Sequence, residues 1–409
     1  MVSSSTTQAP SSRTAGTAWV LGLCLVVAVL EGLDLQSTGV AAPRMAREFG
    51  LSVRQLGIAF SAGMFGLLPG AMLGGRLADL IGRKRVLLIS MVAFGAFSLL
   101  TAQTSTFATL LLARLLTGLG LGGAMPNLIA LSAEAVPQRL RNTAVSVMYC
   151  GMPIGGALAA LIGVLSAGDT EWRHIFYAGG FGPLIIAPAI LAWLPESNAY
   201  RAASSNAQAM HGGPPSTLRV LFGDGRAAVT AQIWISFFCT LIVLYFLLNW
   251  LPSLIVSRGL TRGQAGITQI LFNVGSVVGV LATGTLMDRV RPMRVVATVY
   301  AGIAVSLFML AGAGDMLWLS LSVLLAGMGV VGAQSMLYAL SAASYETVMR
   351  GTGVGAAVAA GRIGSIVGPL AAGQLLAGGA SATTVIAASI PVTVLAAIGA
   401  LLAVRRTES

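Results

Sequence analysis

Four charged residues stand where charge is hard to accommodate. Glu31 and Asp34 lie in the segment Glu31-Gly32-Leu33-Asp34, inside a long apolar run. On a helix, the i, i+3 spacing sets both carboxyls on one face. A carboxyl withdrawn from water and set beside another takes up a proton more readily than a free one. Such a pair could accept a proton on one side of a barrier and release it on the other, or could gate a substrate; the plainer alternative is a structural pair satisfied by polar neighbours. Arg114 sits about seven residues from the end of its apolar run and Asp34 about eight from the end of its own, so both are roughly 10–12 Å deep. Contact between them would lower the burial cost of each, either as a functional couple or as a static pair. Arg362 sits mid-run in Gly361-Arg362-Ile363-Gly364-Ser365. A lone guanidinium facing a cavity can clamp a substrate carboxylate; the alternative is an ion pair with an acid such as Glu31.

The elements that position these groups follow from composition. The chain has 409 residues, 56% hydrophobic and 9% charged, against about 45–50% and about 25% in an ordinary soluble domain. A soluble surface cannot be built from so little charge, and disordered chains are poor in apolar residues. About twelve apolar runs are near the ~20 residues that a bilayer requires. They fall near 17–42, 55–78, 86–104, 107–131, 142–165, 174–194, 227–250, 264–286, 294–313, 316–341, 351–376 and 383–404. Backbone polar groups must be paired within lipid, so each run is a helix. The expected class is an all-α membrane protein of twelve transmembrane helices in two six-helix halves. A tail (1–16), a half (17–194), a polar linker (195–226), a second half (227–404) and a short tail (405–409) complete the plan. The N-terminus lacks the pattern of a removable signal peptide. Sixteen basic residues fall on the side of the termini and six on the other, which places both termini in the cytoplasm. The net charge of +11 is thus topology and does not call for nucleic acid. Cys24, Cys150 and Cys239 are widely spaced inside apolar runs, and the histidines are His174 and His211 alone. Neither a disulfide framework, a metal site, a catalytic triad nor a cofactor is indicated.

The halves repeat at a constant offset of 209 positions. Gly66, Gly70, Gly75 and Asp79 match Gly275, Gly279, Gly284 and Asp288, and Gly118, Gly120 and Gly123 match Gly327, Gly329 and Gly332. Arg141 and Thr143 match Arg350 and Thr352. Two parallel halves related by an axis along the membrane normal describe a transporter architecture with its substrate site between them at mid-membrane.

Between the second and third runs lies Gly75-Arg76-Leu77-Ala78-Asp79-Leu80-Ile81-Gly82-Arg83-Lys84-Arg85. It resembles the signature loop G-x-x-x-D-x-x-G-R-K of the major facilitator superfamily, and Gly284, Asp288, Arg289 and Arg291 form a weaker copy. A carboxylate at a helix end can pair with arginines and with a neighbouring helix N-terminus, making a latch that breaks during a cycle. Arg114 with Gly118 and Gly120 resembles the superfamily's R-x-x-x-G-x-G element. Glu134, Pro137, Arg139 and Arg141 resemble its E-x-x-P-x-x-x-R cytoplasmic relay; a solvated loop is the plain reading. Gly118-x-Gly120-x-x-Gly123 matches a dinucleotide fingerprint by letter only, because the strand that such a site needs is absent; close helix packing explains it. Gly151-Met152-Pro153-Ile154-Gly155-Gly156 resembles an element associated with antiporters, and mechanically it is a bend that permits close packing. Phe60, Tyr149, Tyr245, Asn249, Trp250, Asn273, Gln334 and Tyr338 could line a cavity.

The segment Glu31-Gly32-Leu33-Asp34 is similar to the D/E-G-x-D signature of the aromatic acid:proton symporter family. Leu67-Leu68-Pro69-Gly70-Ala71, Pro126-Asn127-Leu128-Ile129-Ala130-Leu131, Asn249-Trp250-Leu251-Pro252 and Ala356-Ala357-Val358-Ala359-Ala360-Gly361-Arg362 extend the resemblance, which is strongest to the 3-(3-hydroxyphenyl)propionate branch. The resemblance implies the major facilitator fold and import of an aromatic carboxylate driven by protons, with 3-(3-hydroxyphenyl)propionate or a related phenylpropionate or cinnamate as substrate. It matches Glu31 and Asp34 to the family's span-1 acids, the candidates for proton coupling, Asp79 to its loop aspartate beside Gly75, Gly82, Arg83 and Lys84, and Arg362, the candidate carboxylate clamp, to its span-11 arginine. The expected setting is the inner membrane, as a monomer with small aromatic acids, protons and lipid as partners. A proton-antiport exporter of drugs or metabolites is the alternative, and a non-transporting sensor a distant one.

Overall fold

The computed structural model describes the backbone of residues 11–166, 168, 171–197, 221–223, 226–345 and 350–408; the side chains of residues 11–15, Asp79, Arg139, Asn142, Asp288, Arg350, Gly351, Thr407 and Glu408 lie outside the described set. Within it the chain is helical. The first half contains α1 (Ser11–Glu48), α2 (Val53–Ile81), α3 (Arg83–Ala102), α4 (Phe107–Gly122), α5 (Ala124–Glu134), α6 (Arg141–Tyr149), α7 (Gly151–Leu165) and α8 (Arg173–Trp193). The second contains α9 (Ala227–Ser257), α10 (Arg262–Arg289), α11 (Pro292–Gly312), α12 (Met316–Ala343), α13 (Arg350–Ala377) and α14 (Ala382–Glu408). Twelve spans among the described residues are long and apolar enough to cross a membrane. Two are built from two helices each: α4 and α5 meet at Gly123, and α6 and α7 meet at Cys150. The ends differ from the sequence expectation, since α1 begins at Ser11 and the last helix runs to Glu408. At 38 residues, α1 is about 57 Å long, well beyond a hydrocarbon core of about 30 Å.

The repeat is written into the helix starts. Ser52 and Gln55 form a reciprocal capping box at the start of α2, and Thr261 and Gln264 form the same box at α10. Thr106 caps α4 through the Thr109 N–H, and Asp315 caps α12 through the Trp318 N–H. Each cap stabilises its helix by about 1 kcal/mol. Helix packing repeats too. In the first half α2 packs on α4, α3 on α4 and α8, and α1 on α7; in the second α10 packs on α12, α11 on α12 and α14, and α9 on α13. Glycines set the closest approaches. A Cβ at Gly66 or Gly70 would overlap the Leu115 or Leu119 carbonyl, and one at Gly275 or Gly279 would overlap that of Leu324 or Met328. Gly118 faces the Gly63 carbonyl and Gly327 that of Phe272. The fingerprint glycines therefore serve packing. The halves meet along α2 with α13, α7 with α10 and α1 with α9.

Candidate functional site

Asp34 and Arg114 form a buried ion pair. Arg114 Nη1 donates to Asp34 Oδ1 and Oδ2 at 3.2 and 3.1 Å, and Nη2 reaches the Asp34 backbone carbonyl at 3.4 Å. The Ser98 hydroxyl donates to Oδ1 at 2.9 Å. The guanidinium carbon lies 5.5 Å from the Phe176 ring centroid. The similar depths read from the sequence thus end in contact, and both carboxylate oxygens of Asp34 are hydrogen-bonded within the first half.

Glu31 is different. It is fully buried, and among the described residues neither carboxyl oxygen has a hydrogen-bond partner. Gly32 beside it packs against the Met152 backbone with no room for a Cβ, which fixes the depth of α1 against α7. Across the bundle, Arg362 is half-buried, and its Nη1 donates to the Tyr245 hydroxyl at 2.8 Å. Tyr245, Tyr338, Tyr149 and Glu31 lie within electrostatic reach of its guanidinium. Among the described residues Arg362 makes no ion pair. The Tyr149 and Tyr338 hydroxyls bond at 3.2 Å across the halves, and the Tyr338 ring meets Phe237 edge-on at 5.3 Å. Glycines again place the cation: Gly361 packs on Phe237 and Leu241, while Gly364 and Gly368 lie on the carbonyls of Phe238 and Ile242. The arrangement can hold an anion at a guanidinium, a proton at a carboxyl and a flat ring among aromatic side chains.

The Major Facilitator Superfamily model matches residues 24–369. The chain belongs to that superfamily. It is 44% identical over 400 residues to the 3-(3-hydroxy-phenyl)propionate transporter of Escherichia coli (strain K12), covering 98% of this chain and 97% of the relative. It is 33% identical to the 4-hydroxybenzoate transporter PcaK of Pseudomonas putida, covering 93% and 91%. The fold matches the xylose transporter XylE from E. coli in a partially occluded inward open conformation, with a TM-score of 0.76 at 18% identity, covering 94% of this chain and 97% of that one. The chain is a multi-pass membrane transporter of this superfamily, and its relatives are transporters rather than enzymes.

The remaining candidate residues of the transporter divide by contact. Gly82 has a φ of +101°, a backbone suited to glycine, and the Glu196 carboxylate lies against it. Glu196 Oε1 accepts from the Lys84 N–H at 3.1 Å, and Lys84 Nζ donates to the Leu191 carbonyl at 2.7 Å. Arg83 pairs with Glu134, whose other oxygen accepts from Ser197. The basic loop is thus tied to α5 and to the end of α8. Sequence reasoning placed Glu196 in the linker and missed this role; its position two residues after the last apolar run of the first half was the available signal. Nothing lies within 4 Å of where a Cβ would stand at Gly75 or Gly284. Arg141 and Arg289 are exposed, and the side chains of Asp79 and Asp288 lie outside the described set, as does most of the linker. The Gly151 to Gly156 element is a packing face: Gly151 lies on Ala28, Gly155 on the Val29 carbonyl and Gly156 on the Gln36 amide. Phe60 and Trp250 pack edge-on at 5.0 Å, with the indole donating to the Pro369 carbonyl. Asn249 bonds its own helix at Tyr245, and Gln334 is half-buried. Asn273 joins Gln36 and Gln269, which the sequence reading had not grouped with it.

Proposed function

We propose that this transporter carries an aromatic carboxylate, 3-(3-hydroxyphenyl)propionate or a related phenylpropionate or cinnamate, into the cell together with a proton by alternating access. One observation carries the reading: a half-buried guanidinium without an ion-pair partner among the described residues, Arg362, faces a fully buried carboxyl without a hydrogen bond, Glu31. The relatives named above supply the substrate class. Arg362 binds the carboxylate, and the Tyr245 hydroxyl holds one of its nitrogens so that the remaining donors of the planar fork stay aligned. Tyr149, Tyr338 and Phe237 flank the ring.

Charge balance then couples the two loads. An empty site with ionised Glu31 and Arg362 is neutral. A site holding the substrate anion on Arg362 is neutral again once Glu31 carries a proton. The half-loaded states carry a net charge, and moving charge through a low-dielectric centre is disfavoured. Asp34 is the static partner of Arg114 and leaves Glu31 as the proton carrier.

Orientation follows the distribution of basic residues, with both termini in the cytoplasm of an inner-membrane monomer. The residues 195–226 link the halves 17–194 and 227–404 on that side. Asp79, Asp288 and Arg289 complete a cytoplasmic latch with the loop that Arg83, Lys84 and Glu134 hold, and Gly75 and Gly284 leave room for the approach of a helix in another state.

Uptake of radiolabelled 3-(3-hydroxyphenyl)propionate into proteoliposomes tests the reading. An inward proton gradient should raise uptake, and Arg362→Ala should raise the half-saturation concentration at least about tenfold, the value of a charge-assisted contact. Unchanged affinity in folded Arg362→Ala sinks the clamp, and gradient-driven efflux in place of uptake makes the protein an exporter.

A further inference from the structure

One contact between the halves is built from neutral amides. Gln36 on α1 and Asn273 on α10 exchange two hydrogen bonds: Gln36 Nε2 donates to Asn273 Oδ1 and Asn273 Nδ2 to Gln36 Oε1, both at 2.9 Å. Gln269 Nε2 donates to the same Gln36 oxygen at 2.8 Å, and the Asn273 amide also reaches the Gln269 carbonyl at 2.9 Å. All three side chains are buried. Gly156 fixes the position of Gln36, since a Cβ there would overlap the amide. Around this layer the halves close tightly. A Cβ at Gly39 would meet the backbone of Leu248 and Asn249, and one at Gly266 would overlap Val164.

The layer has a definite place. Gln36 lies five residues beyond Glu31, about 7.5 Å further along α1 towards the outside. Val40 is one turn further on the same face. With Gln269, Ala160, Val256 and Pro252 it lines a cavity of about 20 Å³ drawn from both halves, room for about one water. The amides therefore form a floor under that cavity and a roof over the Arg362–Glu31 centre. The repeat does not explain them. At an offset of 209, Gln36 corresponds to Tyr245, while Gln269 and Asn273 correspond to Phe60 and Met64.

We infer that Gln36, Gln269 and Asn273 are the outer gate of this transporter. They are positioning residues that hold α1 against α10 while the site faces the cytoplasm, and they part to admit substrate from outside. This rests on the reading as an alternating-access transporter with cytoplasmic termini. Neutral amides suit the task, because on opening each exchanges its partner for water and leaves no stranded charge. Each net hydrogen bond corresponds to roughly a two- to tenfold shift in a two-state balance, so the three bonds between side chains of opposite halves make a seal that is firm and still reversible.

Labelling tests the gate without any substrate. In a chain with Cys24, Cys150 and Cys239 replaced by alanine, Val40→Cys reports access to the outer cavity through a membrane-impermeant maleimide applied to intact cells. Gln36→Met and Asn273→Leu, isosteric changes on different helices, should each raise the labelling rate about tenfold. The exchanged pair Gln36→Asn with Asn273→Gln keeps two facing amides and should stay within about twofold of the parent. Unchanged labelling in both single variants overturns the gate, as does an exchanged pair that labels as fast as the singles. Labelling only from the cytoplasmic face overturns it together with the orientation. Failure of aromatic acid uptake removes the substrate assignment alone, since no step of the labelling depends on it.

Discussion

Asp34→Asn takes away the charge that Arg114 faces and leaves the guanidinium where it was. The side chains of the pair are 3% and 0% exposed. Among the described residues Arg114 Nε has no hydrogen-bond partner, and the Phe176 ring lies against the ion, so no second acceptor stands ready to replace the carboxylate. Breaking a buried pair by removing one member costs about 3–5 kcal/mol. For a unit of roughly 200 residues, 1 kcal/mol moves the melting midpoint by about 2–4 °C, so the single variant should melt about 6–20 °C lower. The second half supplies the control. At an offset of 209, Asp34, Arg114 and Ser98 correspond to Val243, Val323 and Leu307, which are only 2%, 0% and 0% exposed. The same helix–helix environment is therefore stable when all three positions are apolar. Asp34→Val with Arg114→Val removes both charges together, and exchange of a buried pair for apolar groups is near neutral apart from the cavity left by the arginine stem. The double variant should regain more than half of the loss. Loss of the monodisperse peak with temperature in detergent measures both. An Asp34→Asn variant that melts within about 2 °C of the parent on the scale set above, or a double variant that melts below it, refutes the account of Asp34 as a static partner.

Two further outcomes follow from the same geometry. Glu31→Gln keeps shape and burial and removes the proton site; accumulation driven by a proton gradient should vanish while exchange of labelled for unlabelled substrate continues, and loss of both in counterflow assays contradicts the assignment of Glu31 as carrier. Gly118→Ala forces α4 away from the Gly63 carbonyl and should lower thermal stability by an overpacking cost of about 1–3 kcal/mol, whereas Gly75→Ala, with open space around it, should melt like the parent and lower turnover; equal melting of the two variants removes the packing argument.

Several parts of this molecule are readable from its letters because lipid leaves few choices. An apolar run of sufficient length has to be a helix, and the constant offset of 209 identifies two copies of one unit. Similar depth in their two runs made contact of Asp34 with Arg114 possible, and the structure brings them together. Other features left weaker traces. Gln36 and Gln269 are neutral, so a search for charge passes over them, although Gln269 and Asn273 are four apart on one helical face. The breaks at Gly123 and Cys150 depend on local backbone angles that glycine and cysteine do not announce in an apolar run. Glu196 looked like linker because its partners, the Lys84 N–H and the loop at Gly82, are more than a hundred positions away in sequence.

The repeat sharpens what counts as a site. Contacts that both halves share are structural: Val29 lies under Gly155 as Phe238 lies under Gly364. Even a changed pair can conserve the contact. Gly32 meets Met152 in the first half, and at the equivalent place Leu241 meets Gly361 in the second, so the small residue has moved from one helix to the other while the approach remains close. Departures of another kind keep the fold and change the chemistry. Glu31 stands where the second half has Thr240, a hydroxyl bonded to Tyr300 at 2.8 Å. Arg362 stands where the first half has Pro153, and Gln36 where the second has Tyr245. A duplicated scaffold needs none of these three differences for packing, because the partner half packs without them. They nevertheless gather at the centre between the halves: Glu31, Arg362 and Tyr245 lie within electrostatic reach of one another, and Gln36 lies five residues beyond Glu31 on α1. Asymmetry against the repeat therefore points to the same residues as the proposed coupling site, on structural grounds that owe nothing to the relatives' substrates.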